Sequence, residues 1–257
     1  MSRTSNLELP EVSISDHGDT RYLHLGSPWV QGSMDLRKPF DIELDYVQRM
    51  MAWLLFMPEL SAKDIAQRHA MQLGLGAAAL TKFCHKRLRM RTTAIEINPQ
   101  VVAVCRQWFK LPPDDDRLHV LLADANMAIR EERWQSEVDA LQVDLYDHDA
   151  AAPVLDTQVF YAHCRKLLSA EGVMTVNLFG RNASFEGSIA KIRKAFGDAC
   201  VWSFRPTREG NTVVLATRLP QTPDRETLRE RADRIEALTH LPARKWLRIL
   251  RAPEISA

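Results

Sequence analysis

Two aspartates close an apolar run in the stretch QVDLYDHD, residues 142–149. Asp144 and Asp147 lie three residues apart, with Tyr146 between them. The run before them (Val138, Ala140, Leu141, Val143) reads as a strand, so both acids stand at a strand's end. Acids there either cap the next helix, by accepting backbone N–H groups, or do chemistry. A carboxylate at a sheet edge can take a proton from a substrate. Two together favour a cation and repel an anion. Tyr146 reads as a residue lining such a site, and His148 as a loop residue.

Three further stretches point to the same edge. In LGLGAAAL (Leu73–Leu80), Gly74 and Gly76 let the backbone turn tightly and approach a ligand closely; the alternative is a tight turn and nothing more. Glu96 ends the β-branched run TTAIEIN, 20 residues after Gly76. It is placed to accept both hydroxyls of a ribose, or else to stand in solvent. Asp124 ends LLADA, where a side chain meets an adenine amino group or caps a helix. The combination is more specific than any one part.

The elements that must position these residues alternate. HAMQLG, RTTAIEIN, LHVLLAD, VDALQVD and GVMTVNLF read as strands. Helices lie between them, one with Asn98 at its cap and Pro99 at its first position. Strict alternation of strand and helix implies βαβ crossovers and a mostly parallel sheet covered on both faces. CVWSFRP and NTVVLATR around TREG predict an antiparallel terminal hairpin. Upstream, VSIS and RYLHL predict a hairpin around DHGD, with SPWVQGSM as a third short strand. A helical stretch from Phe40 is interrupted at Pro58, and residues 223–251 read as charged and helical. The expected division is residues 1–60, a small N-terminal β-region with a helix; residues 61–219, a Rossmann-like nucleoside-binding domain; and residues 220–257, a helical tail.

Composition excludes several classes. A chain of 257 residues with 46% apolar content has a sizeable core, and a net charge of +1 gives no general pull toward nucleic acid or anionic membrane. The longest apolar run, MMAWLLFM, is too short to span a bilayer, and the first 15 residues hold no apolar signal core. Four cysteines without C-x-x-C spacing read as reduced thiols of a cytoplasmic protein. Eight histidines are scattered without ligand spacing, so no metal is expected. The basic residues Arg244, Lys245, Arg248 and Arg251 come after interleaved acids, which favours a solvated helix face or a subunit contact over an RNA site.

From Val12 to Arg218 these motifs resemble the spermidine synthases, or polyamine aminopropyltransferases. That family joins a methyltransferase-like Rossmann domain to a small N-terminal β-domain. GLGAAA is similar to its glycine loop, Glu96 to its ribose-binding acid, and Asp124, with Ala125 next to it, to the acid of its G-D-G. DLYD is similar to its D-S-S-D, LGSPWVQ to its L-D-G-x-x-Q, and VQRMMAWL to its Y-Q-E-M-I-A-H-L. The resemblance implies Asp144 as general base, and Asp147, Tyr146, Gln48 and Gln31 around the acceptor amine. Gly74, Gly76, Ala77, Glu96, Asp124 and Ala125 would hold decarboxylated S-adenosylmethionine. It implies a small-molecule diamine as acceptor, no metal, and a homodimer or homotetramer.

One departure stands out. The family's loop aspartate, which binds the donor's aminopropyl ammonium, falls at Ala77. Losing such a charge-assisted bond costs roughly 1.5–3 kcal/mol, about 10–150-fold in binding. Ordinary S-adenosylmethionine is therefore the alternative donor, which makes a methyltransferase one competing reading. A non-catalytic nucleoside-binding relative is another. Dinucleotide chemistry fits G-x-G-x-x-A but leaves Asp144 and Asp147 without a role.

Overall fold

The computed structural model describes residues 9–58, 60–145, 155–179 and 183–253. It opens with a three-stranded antiparallel sheet: β1 (Val12–His17), β2 (Thr20–Leu25) and β3 (Val30–Asp35). The hairpin expected around DHGD turns at Gly18, whose φ of +58° suits glycine. α1 (Asp45–Arg49) comes next, then Met50–Phe56 as a 3₁₀ stretch in place of a continuing α-helix. Every residue of that stretch is buried. Two deep hydrogen bonds reach its first carbonyl, Met50 O: one from Thr175 Oγ1 at 3.0 Å, one from Gln142 Nε2 at 3.4 Å.

After α2 (Ala62–Ala66) the strands and helices alternate. They run β4 (His69–Leu73), α3 (Ala79–Lys82), β5 (Arg91–Glu96), α4 (Pro99–Trp108), β6 (Leu118–Leu122), α5 (Ala125–Ala128), β7 (Val138–Val143), α6 (Gln158–Leu167) and β8 (Leu168–Phe179). α7 (Ala183–Phe196), β9 (Val201–Phe204), β10 (Asn211–Thr217), α8 (Arg225–Thr239), α9 (Ala243–Trp246) and β11 (Leu250–Arg251) complete the chain. Helix starts coincide with the residues that favour them. Asn98, Asp124, Thr157 and Asp224 each cap a helix by accepting a backbone N–H.

The large sheet has the order β11-β9-β10-β8-β7-β4-β5-β6. β8, β7, β4, β5 and β6 are parallel, while β10, β9 and β11 join antiparallel. This is the α/β fold expected, with the antiparallel hairpin at one edge and the small β-sheet at the N-terminus. Leu250–Arg251, read from the sequence as helix, instead pairs with β9. Winding runs outward from β4 in both directions, through β5 on one side and β7 on the other. That reversal opens a crevice at the carboxyl ends of β4 and β7, where open α/β sheets bind ligands. Trp53, Phe56, Trp202, Phe204 and Trp246 form the core beneath α8, with Phe56 edge-on to Trp202 at 5.1 Å.

His69, at the opposite end of β4, is 1% exposed. Its Nδ1 lies 3.2 Å from Glu137 O, which only accepts, and its Nε2 2.9 Å from the Thr93 hydroxyl. Burial holds its pKa down at about 4. The unfolded histidine takes up a proton below about pH 6.5, and the folded one does not until about 4. Stability therefore falls as pH drops through that window, by about 3 kcal/mol at most. Urea titrations at pH 7 and pH 4.5 should show this loss, and it should shrink in His69→Gln.

Candidate active site

Gly74 and Gly76 sit in the left-handed region with φ of +88° and +50°, and the non-glycine Ala78 joins them at +57°. A backbone so turned leaves β4 and enters α3 in a tight loop, with Ala78 N closing onto Leu75 O at 2.9 Å. The turn is pinned from below. Gly74 N donates to Ile95 O at 2.9 Å, and Cys105 Sγ donates to Gly76 O at 3.1 Å. β3 closes it from above. A Cβ built on Gly32 would stand 2.6 Å from the Ala77 Cβ, so glycine is what allows the two segments to touch. Gln31 O lies beside Gly76, and Gln31 Nε2 is buried without a hydrogen-bond partner among the described residues. The structure thus places Gln31, expected beside the acceptor amine, next to Ala77 at the glycine turn, with Ala77 itself 3% exposed.

Glu96 ends β5 next to the turn. Its Oε2 accepts Leu75 N at 2.9 Å and its Oε1 accepts Asn98 N at 2.8 Å. The Ile97 N–H also meets the carboxylate, and a lone pair is left for a ribose hydroxyl. Burial raises its pKa, and the backbone donors oppose that. One strand further, Ala123 N bonds Glu96 O at 2.9 Å, which sets Asp124 and the buried Ala125 beside Glu96. Asp124 Oδ1 caps α5 through Asn126 N at 2.7 Å. Capping and ligand contact are compatible, since the cap uses one carboxylate oxygen of an exposed residue and leaves the second. Ile97, 42% exposed between Glu96 and Asn98, adds apolar surface at this edge.

Asp144 directly succeeds β7, the strand on the other side of β4. Its N donates to Leu73 O at 3.0 Å, and a Cβ built on Gly74 would come within 2.3 Å of its carbonyl oxygen. The Asp144 backbone and the glycine turn are therefore in contact. Asn177 Nδ2, on β8, donates to Asp144 Oδ1 at 3.0 Å, and the Tyr46 side chain on α1 makes a second hydrogen bond to it. Burial pushes the Asp144 carboxyl up to about 6, against the pull of these two donors. It is thus half-ionised near pH 6, the poise of a general base.

Gln48 lies on α1 as well, and its amide nitrogen donates to Ile42 O at 2.8 Å. Tyr46, two residues earlier, is the α1 side chain that reaches Asp144. The sequence reading missed Tyr46 and Asn177. Each stood near or within a motif, one before VQRMM and one inside GVMTVNLF, but nothing local paired them with Asp144. Asp147 and Tyr146 lie outside the described residues. Among the described residues no three His, Cys, Asp or Glu side chains are grouped to hold a metal, and no helix is long and apolar enough to cross a membrane.

The polyamine aminopropyltransferase of Chromobacterium violaceum is 34% identical over 230 residues, covering 89% of this chain and 84% of that protein. The chain belongs to the polyamine aminopropyltransferase family. A second aminopropyltransferase, from Neisseria meningitidis, is 31% identical over 252 residues, 97% of this chain and 92% of that one. A probable spermidine synthase from Corynebacterium glutamicum superposes with a TM-score of 0.70 at 17% identity, covering 96% of this chain and 94% of that one. Human methyltransferase-like protein 13, in complex with SAH, gives 0.66 at 22% identity over 77% of this chain and 93% of that one. No family model matches. The α/β fold is that of these structural neighbours.

Proposed function

We propose that the chain transfers an aminopropyl group from decarboxylated S-adenosylmethionine to a diamine such as putrescine, with Asp144 as general base. The observation that carries this reading is the Asp144 carboxyl, pushed up to about 6 by burial on a residue whose backbone touches the glycine turn. Gly74, Gly76, Glu96, Asp124 and Ala125 hold the nucleoside. The unpartnered Gln31 amide beside Gly76 fits a ligand at this spot. Val143, Leu145, Leu155 and Phe160, which line a small cleft with Asn177, give the acceptor side of the site an apolar wall. Asp147 anchors the far ammonium, and Tyr146 lines the acceptor pocket.

The acceptor amine is protonated at neutral pH, with a pKa of about 10. Asp144 attracts the ammonium, takes one proton and leaves a nucleophilic lone pair aimed at the donor. Nitrogen bonds the methylene next to the sulfonium. The carbon–sulfur pair leaves with sulfur as a neutral thioether. The sulfonium needs no metal to activate it. By family resemblance the working unit is a homodimer or homotetramer; the widely spaced cysteines fit a cytoplasmic protein, and a net charge of +1 gives no pull toward nucleic acid or membrane.

The second reading is methyl transfer from ordinary S-adenosylmethionine. Ala77 favours it, because an apolar, close-packed residue stands where the family's acid would meet the donor's amine. One experiment separates the two. Purified protein is incubated with each sulfonium donor and a panel of diamines, and the released nucleoside is identified. 5′-Methylthioadenosine supports aminopropyl transfer, S-adenosylhomocysteine supports methyl transfer, and neither product overturns both. Glu96→Gln should raise the donor KM about 10–100-fold with little change in kcat, since one charge-assisted contact to the ribose is lost. Initial rates at varied donor concentration check it.

A further inference from the structure

The loop between β9 and β10 stands apart from the nucleoside turn in sequence, yet both hydrogen-bonding partners of Asp144 are tied to it. On one side, Asn211 Nδ2 donates to Asn177 Oδ1 at 3.2 Å, while Asn177 Nδ2 donates to Asp144 Oδ1 at 3.0 Å. On the other, Arg49 Nη1 donates to Arg205 O at 2.7 Å, and Arg49 lies on α1 three residues after Tyr46. The same guanidinium is ion-paired to Asp45 and stands over the Phe204 ring at 5.9 Å. The loop is itself closed. Thr207 N bonds Asn211 O at 2.7 Å, Asn211 N bonds Thr207 Oγ1 at 3.2 Å, and Gly210 takes φ of +106° to complete the turn.

An asparagine amide has two ends of opposite character: its oxygen accepts and its nitrogen donates. Asn177 is 3% exposed, so neither end is turned to bulk water. Which end faces Asp144 is then decided by what meets the other end. Asn211 presents N–H to the Asn177 oxygen, so the Asn177 nitrogen is left to face the carboxylate. A donor there favours the ionised acid, and an acceptor there favours the protonated one. Among the described residues, the groups bonded to the carboxyl are the Asn177 amide from β8 and Tyr46 from α1.

We propose that Asn211 and Asn177 are positioning residues: the β9–β10 hairpin, by donating through Asn211, fixes the Asn177 amide so that Asp144 stays ionised and competent to take a proton. The proposal rests on the reading of Asp144 as the base, and it assigns the terminal hairpin a task beyond closing the sheet edge.

The test is a direct titration of Asp144 by carboxyl-carbon NMR, its resonance assigned as the signal missing in Asp144→Asn. Asn211→Asp is close to isosteric and replaces the donor by an acceptor. The Asn177 amide then turns its nitrogen to residue 211 and its oxygen to Asp144. The Asp144 titration should move at least about one pH unit upward, and the acid limb of kcat/KM with it, while the donor KM stays within about twofold. Asn211→Leu, which removes the donor without adding a charge, should raise the midpoint too, so that repulsion from the new carboxylate is not its cause, while Asn211→Ser keeps a donor and should return the titration toward wild type. A midpoint that is unchanged in folded Asn211→Asp overturns the proposal. So does one equally raised in the serine variant, which would make the effect one of packing. Failure of the base reading shows elsewhere: Asp144→Asn would keep its turnover whatever the titration does. If Asn211→Asp does not fold, Asn177→Leu, which removes the donor outright, must raise the Asp144 midpoint by as much.

Discussion

Asp144→Asn is expected to lower kcat by about 10²–10⁴-fold, the usual worth of a positioned general base, while 5′-methylthioadenosine binds within a few-fold of wild type. The nucleoside is held by the turn, Glu96 and Asp124, none of which is altered. Full activity in this variant would remove the base assignment. The wild-type profile carries the same information. With the carboxyl near 6, kcat/KM should climb through about pH 6 as Asp144 ionises. The variant should also be more stable. The folded pKa lies above the ordinary 3.8, so the fold holds the proton more tightly than the unfolded chain does. That contribution is complete below about pH 3.8 and is lost as pH rises through about 6, leaving a cost of about 3 kcal/mol at neutral pH. Asparagine removes the charge but loses one acceptor for the two donors, so the net gain is about 1–2 kcal/mol, a few degrees in Tm. A variant both inactive and more stable separates a functional carboxylate from a structural cap, whose removal would destabilise.

The parts of this site that lie within one element were legible in the sequence. Gly74, Gly76, Glu96 and Asp124 each end or succeed a strand, and period and turn chemistry locate strand ends. βαβ alternation then puts those ends on one edge without any knowledge of contacts. What stayed hidden depends on register between distant strands. Asn211 reaches Asn177 because β10 pairs β8 with Asn211 opposite Phe179 and Val213 opposite Asn177. Strand propensity gives no such offset. Tyr46 was hidden for a related reason: α1 ends at Arg49 and the chain tightens into the buried 3₁₀ stretch. Read as one long helix, residues 40–57 give no reason to prefer Tyr46 over Gln48. β3 shows the same limit, since only its docking on the turn explains why Gly32 must be small against Ala77.

Gly74→Ala is expected to disable the site more completely than any single ligand-contact change. Two costs coincide there. With φ of +88°, an alanine sits outside the conformations L-residues adopt readily, at about 1–2 kcal/mol. Its Cβ would also fall 2.3 Å from Asp144 O and 3.2 Å from Asp144 C, and both are backbone atoms that cannot rotate away. Relief requires β7 to part from β4 at the bond between Asp144 N and Leu73 O. That movement carries the acid off the turn. Expected are a loss of about 3 kcal/mol or more in urea unfolding, no measurable nucleoside binding by calorimetry, and turnover at background. Gly187→Ala is the internal control. Gly187 lies within α7 with nothing within 4 Å of a built Cβ, so alanine should stabilise by up to about 1 kcal/mol and leave activity unchanged. If Gly74→Ala bound nucleoside and turned over like the control, the contact between turn and acid would have no part in catalysis, and the acid's placement would have to come from β8 and α1 alone.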